Sequence, residues 1–186
     1  MFHRFHAPHA RHTLRRAYTL IEVLVVVTVL GIAASMVIPS FGGSDGMRVQ
    51  AAVRAIVSDI AFAQSDALAF QSGRAVVFHL DEGRYSVVEV RGSAVDEETD
   101  FIQGQKLSDA RFGALRIVSV DFGSSIANAL IFDELGAPVT SPGGSTPAGN
   151  GTIIIEGAGD RYTLTVEGYT GRITVVRTDI AAVNPG

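Results

Sequence analysis

Residues 16–27 read Arg16-Ala17-Tyr18-Thr19-Leu20-Ile21-Glu22-Val23-Leu24-Val25-Val26-Val27. A cationic stretch stops here and an apolar one begins. Upstream, residues 1–17 hold Arg4, Arg11, Arg15 and Arg16 and no acid. Downstream, residues 23–44 carry no charge over 22 positions. As a helix that run would extend about 33 Å, against about 30 Å of bilayer hydrocarbon. Pro39 and the Gly42–Gly43 pair are expected to break or bend it near its far end. The flanking arginines hold the N-terminus in the cytoplasm, which predicts that the chain after residue 45 is exported.

A removable signal peptide would need a small-residue cleavage site, and Ala33-Ala34-Ser35 could serve. A plain membrane anchor would need only the apolar run. Neither accounts for Glu22, which stands where that run begins. A carboxylate at full depth in a bilayer is unfavourable by roughly 2.5–3.5 kcal/mol. It could instead lie shallow and reach headgroup water, but Thr19-Leu20-Ile21 before it are mostly apolar.

The ordered series from Arg16 to Val27 closely resembles the prepilin signature of type IV pilins and type II secretion pseudopilins. The resemblance implies that a prepilin peptidase cuts between Ala17 and Tyr18 on the cytoplasmic face. It implies that Tyr18 is then N-methylated and that Glu22 becomes mature residue five. Two positions depart from the family pattern: Ala17 replaces the usual Gly, and Tyr18 replaces the usual Phe. Cleavage would create an amine at Tyr18, four helical residues or about 6 Å from Glu22 along the axis. A neighbouring subunit displaced by about that rise could pair its amine with this Glu22. Glu22 would then set the axial register of a filament.

His3, His6, His9 and His12 recur every three residues in the leader. Imidazoles at that spacing could share a helix face and hold a metal. A solvated, low-complexity leader is the preferred reading, because Pro8 interrupts a helix and the peptidase would discard the segment.

The domain boundaries expected are a cleaved leader at 1–17, a transmembrane and assembly helix at 18–41, its amphipathic continuation at 46–72, and a β-rich periplasmic domain at 73–186. Val49, Val53, Ile56, Ile60, Ala63, Ala67 and Phe70 recur at alternating spacings of four and three. That is an apolar stripe down one helix face, expected to pack on its own domain. Ser72-Gly73 ends the helix. The period then changes to two. Ala75–Leu80 and Arg84–Arg91 read as a hairpin about Asp81-Glu82-Gly83. Further strands are expected at Arg116–Asp121, Ala129–Phe132, Thr152–Glu156, Arg161–Glu167 and Arg172–Arg177. The fold class is α+β, a long N-terminal helix packed on a mostly antiparallel sheet. Residues 92–105 are expected as an acidic loop, and 138–151, rich in turn formers, as a mobile one.

The domain also resembles the GspH/FimT subgroup of pseudopilins over residues 18–177. The matching pieces are Ala63-Gln64-Ser65-Asp66-Ala67, Gly73-Arg74-Ala75-Val76-Val77-Phe78, Ile131-Phe132-Asp133-Glu134-Leu135-Gly136-Ala137-Pro138 and Thr170-Gly171-Arg172-Ile173-Thr174-Val175. Residues 92–128 match only loosely.

The sequence offers no nucleophile-plus-base constellation, and a non-enzymatic protein is expected. Zero cysteines among 186 residues exclude thiol catalysis and thiolate zinc sites. There is no Gly-x-Ser-x-Gly elbow and no phosphate-loop pattern. His79, in a strand pattern, reads as a packed or surface residue. Asp96, Glu97, Glu98 and Asp100 could form a calcium loop. They lack the spaced Asp/Asn-Gly pattern of one and are expected as a solvated loop. No cofactor or metal is implied.

Two functions follow from the resemblance. One is a minor pseudopilin, a structural subunit of a type II secretion pseudopilus in the inner membrane and periplasm. Its partners would be prepilin peptidase, other pseudopilins or pilins, inner-membrane lipid and an assembly platform. The other is a FimT-type minor pilin that binds DNA for uptake. Charge separates them. Removing the leader takes four of the 15 basic residues and none of the 19 acids, leaving −8 before the termini are counted. Phosphate binding needs a basic stripe. Arg161, Arg172 and Arg177 are the candidates for a small one, so nucleic acid is the disfavoured partner.

Overall fold

The structure is a computed structural model and describes residues 19–37 and 44–180. Two compact units divide the chain, residues 1–42 and 43–186. In the first, helix α1 spans Leu20–Val37. Thr19 caps it: the Glu22 amide donates to the Thr19 carbonyl at 3.0 Å and its hydroxyl at 3.3 Å. Nine of its 18 residues are Val, Ile or Thr. Such residues favour strands in water. In a dry setting a helix is favoured instead, because it satisfies its own backbone groups. Among the described residues no helix is long and apolar enough to cross a membrane. At 18 residues α1 runs about 27 Å. The expected break at Pro39, Gly42 and Gly43, and the processing positions Ala17 and Tyr18, lie outside the described residues.

The second unit opens with α2, Ser44–Phe70. Ten strands follow in chain order: β1 Arg74–His79, β2 Arg84–Arg91, β3 Ala94–Val95, β4 Phe101–Lys106, β5 Leu115–Asp121, β6 Ala129–Phe132, β7 Pro138–Val139, β8 Gly151–Gly157, β9 Asp160–Val166 and β10 Ile173–Asp179. The expected single sheet is two. The first has the order β3-β2-β1-β6-β7, with β4 also paired to β2; the second is β10-β9-β8-β5. All strand pairs are antiparallel.

The core lies where α2 meets both sheets. Val49, Val53, Ile56, Ile60, Ala63 and Ala67 are buried there, as the periodicity predicts. Val76, Phe78 and Phe132 meet them from the first sheet; Ile153, Ile155 and Leu164 meet them from the second. Ala52 joins the stripe and Phe70 leaves it, 70% exposed. Phe70 is the last residue of α2, and its ring lies 5.8 Å from the Arg74 guanidinium. Gln71 follows at φ 48, a left-handed residue that ends the helix.

Two loop expectations need correction. Residues 92–105 contain β3 and most of β4. β4, Phe101-Ile102-Gln103-Gly104-Gln105-Lys106, lacks the apolar alternation that marks a half-buried strand. The 138–151 stretch is also held. The Ser125 amide donates to the Thr140 carbonyl at 2.7 Å, and Ala148 to Pro138 at 2.9 Å. Val139 bridges Pro147, and Ala148 is buried. Gly143, at φ 66, lets the turn close on the 92–93 backbone, where a Cβ would come within 2.3 Å of the Gly92 carbonyl oxygen. The stretch thereby contributes Val139 to a second apolar cluster with Ala75, Val77, Val88 and Ile131.

Candidate assembly segment and charged surfaces

α1 has no polar face. From Leu20 to Ile32 its large apolar side chains are 52–84% exposed. Thr28 turns its hydroxyl inward, donating to the Leu24 carbonyl at 2.7 Å. A helix that is apolar all round is stable in a membrane or among other apolar helices, not in water. Glu22 is the acid of its first turn. A carboxylate is favourably placed there against the helix dipole, and an ammonium brought to that end would find a single negative group.

The motif pieces that resemble the GspH/FimT subgroup converge on one end of α2. The Gln64 amide donates to the Gly136 carbonyl at 2.8 Å and the Thr170 carbonyl at 2.9 Å. It thus ties the helix to two turns distant in sequence. Asp133 shapes the first turn, accepting from the Leu135 and Ala137 amides at 2.9 and 2.8 Å. Gly171, at φ 68, lets the second turn approach: a Cβ there would lie 2.5 Å from the Gln64 amide nitrogen. Asp66 meets Arg74 at 2.5 Å, and Arg74 also donates to the Ser72 and Gly73 carbonyls. These residues hold helix, sheets and turns together.

Of the acids at 96–100, Asp96 and Glu98 are exposed as expected, and Glu97 and Asp100 are not. Asp96 accepts from the Glu98 and Thr99 amides at 2.9 and 3.2 Å. Asp100 is buried and pairs with Arg91 at 3.0 Å. Glu97 turns inward to His79 at 2.8 Å and the Ser86 hydroxyl at 2.5 Å, with Arg84 at 3.4 Å. Burial pushes the Glu97 carboxyl upward, but Ser86, His79 and Arg84 outweigh it and hold it below its usual range. A carboxyl depressed on folding contributes stability above its unfolded value, and that contribution is lost as pH falls through the folded value. The urea midpoint of the wild-type chain should therefore drop more steeply below about pH 4.5 than that of Glu97→Gln. Parallel pH profiles for the two proteins would refute this assignment. Among the described residues no group of His, Asp or Glu is arranged to hold a metal ion.

A contact missed in the sequence lies behind this segment. Tyr85 donates to Asp59 of α2 at 2.6 Å, and Gln103 of β4 donates to the same carboxylate at 3.1 Å. Burial first, then Asp59, push the Tyr85 phenol upward, so it stays protonated as donor. Asp59 stands off the apolar stripe, and nothing in its spacing distinguishes it from a solvated acid.

Arg161, Arg172 and Arg177 do not form a stripe. Arg161 lies opposite Thr178 and Arg177 opposite Tyr162, so the two point to opposite faces of the β9–β10 pair. Arg172 precedes β10 at its other end. Each meets a carboxylate: Arg161 meets Glu156 at 2.6 Å, which Arg116 shares, Arg177 meets Asp160 at 2.8 Å, and Arg172 pairs with Glu167.

Residues 13–38 match the family model described as the prokaryotic N-terminal methylation motif. No curated protein matches the chain at a significant level. Among solved structures the chain is similar to the type IV minor pilin FimU of Pseudomonas aeruginosa, with 17% identity and a TM-score of 0.52, covering 72% of this chain and 91% of that one. It is also similar to the minor pseudopilin EpsH from the type 2 secretion system of Vibrio cholerae, with 10% identity and a TM-score of 0.48, covering 69% and 96%. The chain thus carries an N-terminal methylation motif on a pilin-like α+β fold.

Proposed function

We propose that this chain is a minor pseudopilin, a non-enzymatic structural subunit of a type II secretion pseudopilus. The observation that carries the reading is α1: an all-apolar helix with one carboxylate in its first turn, inside a matched methylation motif. Prepilin peptidase cuts between Ala17 and Tyr18 and Tyr18 is N-methylated. The new amine of one subunit then meets Glu22 of its neighbour. Before assembly the chain is anchored in the inner membrane with its sheet domain in the periplasm. The subgroup motifs at Gln64, Asp66, Arg74, Asp133 and Gly171 fit a GspH-type and a FimT-type subunit alike, and the secretion reading is preferred on charge, since the chain after residue 17 carries −8 before the termini are counted. The alternative, DNA uptake by a FimT-type minor pilin, gains no support from Arg161, Arg172 and Arg177, which are dispersed and each engaged by a carboxylate.

The test is mass spectrometry of the mature protein extracted from membranes. The expected N-terminus is a methylated Tyr18. A chain that begins at Met1, or near Met36, would overturn the proposal.

A further inference from the structure

Three features without a protein partner meet along one groove between α2 and β10. The groove holds about 470 Å³ and is walled by Val53, Val57 and Val175, with Arg54, Arg177 and Tyr162 among its lining. The first feature is Tyr162, 3% exposed, whose buried hydroxyl has no hydrogen-bond partner. The Tyr85 hydroxyl, by contrast, is bonded to Asp59. A buried hydroxyl left unpaired is destabilising, and such groups call for a missing partner. The second is Arg54. The other nine arginines of the described residues each pair with a carboxylate. Arg54 has none among the described residues, and it stands on the groove's rim. The third is β10 itself. It pairs with β9 alone, and its Val175 and Val176 are 42% and 54% exposed on opposite faces. A seven-residue edge strand rich in β-branched side chains is a ready template for another strand.

We infer that this groove accepts an extended segment of another protein chain, added to β10 as a fifth strand of the second sheet, with an acidic side chain held by Arg54 and the Tyr162 hydroxyl. By register Val175 and Arg177 share the face of Leu164 and Tyr162. A strand beside β10 would lay alternate side chains on that same face, over Val53 and Val57. Its backbone would supply the ladder bonds that β10 lacks on its outer edge, and its side chains the selectivity. Both residues line the groove, so a carboxylate seated between them would accept from the exposed Arg54 guanidinium and from the Tyr162 hydroxyl. Charge-assisted bonds of this kind strengthen as water is excluded. A lone anionic amphiphile would satisfy Arg54 and Tyr162 but leave the β10 edge bare, which is why a polypeptide is the occupant. The inference stands apart from the assembly reading, since neither Glu22 nor the leader enters it.

The probe is a fluorescent synthetic peptide that alternates valine and threonine about one central glutamate. It is titrated by anisotropy against the full chain in lipid nanodiscs. Saturable binding is expected, weakened about tenfold by Arg54→Glu. A peptide with lysine for glutamate should recover affinity for that variant. Tyr162→Phe should weaken binding several-fold without lowering the melting temperature, since the hydroxyl it removes is unpaired in the free protein. Methylating the peptide's amides should abolish binding. Absence of binding, or binding indifferent to Arg54→Glu and to the charge swap, would overturn the proposal. So would equal binding of the methylated peptide together with displacement by oleate, which would mark an amphiphile site. Concentration-dependent dimerisation lost in Arg54→Glu would replace the foreign strand with a second copy.

Discussion

Glu22→Ala should remove this chain from filaments while leaving it in the membrane. Insertion should be unimpaired, because the substitution deletes the charge that hydrocarbon disfavours by roughly 2.5–3.5 kcal/mol at full depth. Under the proposed function assembly should fail, because the neighbour's Tyr18 amine would be left without its counter-charge. Breaking one side of a desolvated ion pair is unfavourable by about 3–5 kcal/mol, or ~100-fold or more in subunit addition. Glu22→Asp should restore part of the loss. Thr28→Val should have no effect, since the Thr28 hydroxyl is satisfied within its own helix. The measurement is the ratio of filament-associated to membrane-associated protein in sheared and fractionated cells. Normal filament incorporation of Glu22→Ala would eliminate the register role of this carboxylate.

The second large effect is on stability. Asp66→Ala strands the guanidinium of Arg74, whose side chain is 6% exposed against 14% for Asp66. Glu89, at 3.9 Å, offers partial compensation. The expected loss is therefore near the low end for a broken buried pair, about 3 kcal/mol. That corresponds to roughly 10 °C in melting temperature for a unit of this size. Replacing both partners, Asp66→Leu with Arg74→Met, should recover most of it, because neither charge then remains to be solvated. Thermal melts of the full chain in nanodiscs report both numbers. A shift of Asp66→Ala by less than about 2 °C would show that Arg74 is held by the Ser72 and Gly73 carbonyls alone.

Sequence alone determined the features that depend on near neighbours in the chain. The methylation motif, the apolar run after it and the position of Glu22 are covalent facts of order and spacing. The stripe from Val49 to Ala67 and the hairpin about Gly83 follow from periods of 3.6 and 2, which local geometry imposes on buried faces. Where the local signal was weak, tertiary structure decided. β4 is polar throughout its last four residues, and it is a strand because β2 offers it a ladder. Phe70 fits the helical period but lies at the helix end, where the chain turns away. The acids at 96–100 look solvated in isolation, yet Glu97 and Asp100 turn inward to His79, Ser86 and Arg91. Arg161, Arg172 and Arg177 are a basic trio in one dimension and are held by three different carboxylates in three. Hydrogen bonds and charge pairs act over a few ångströms between residues tens of positions apart, so their partners are set only once the two sheets close around α2.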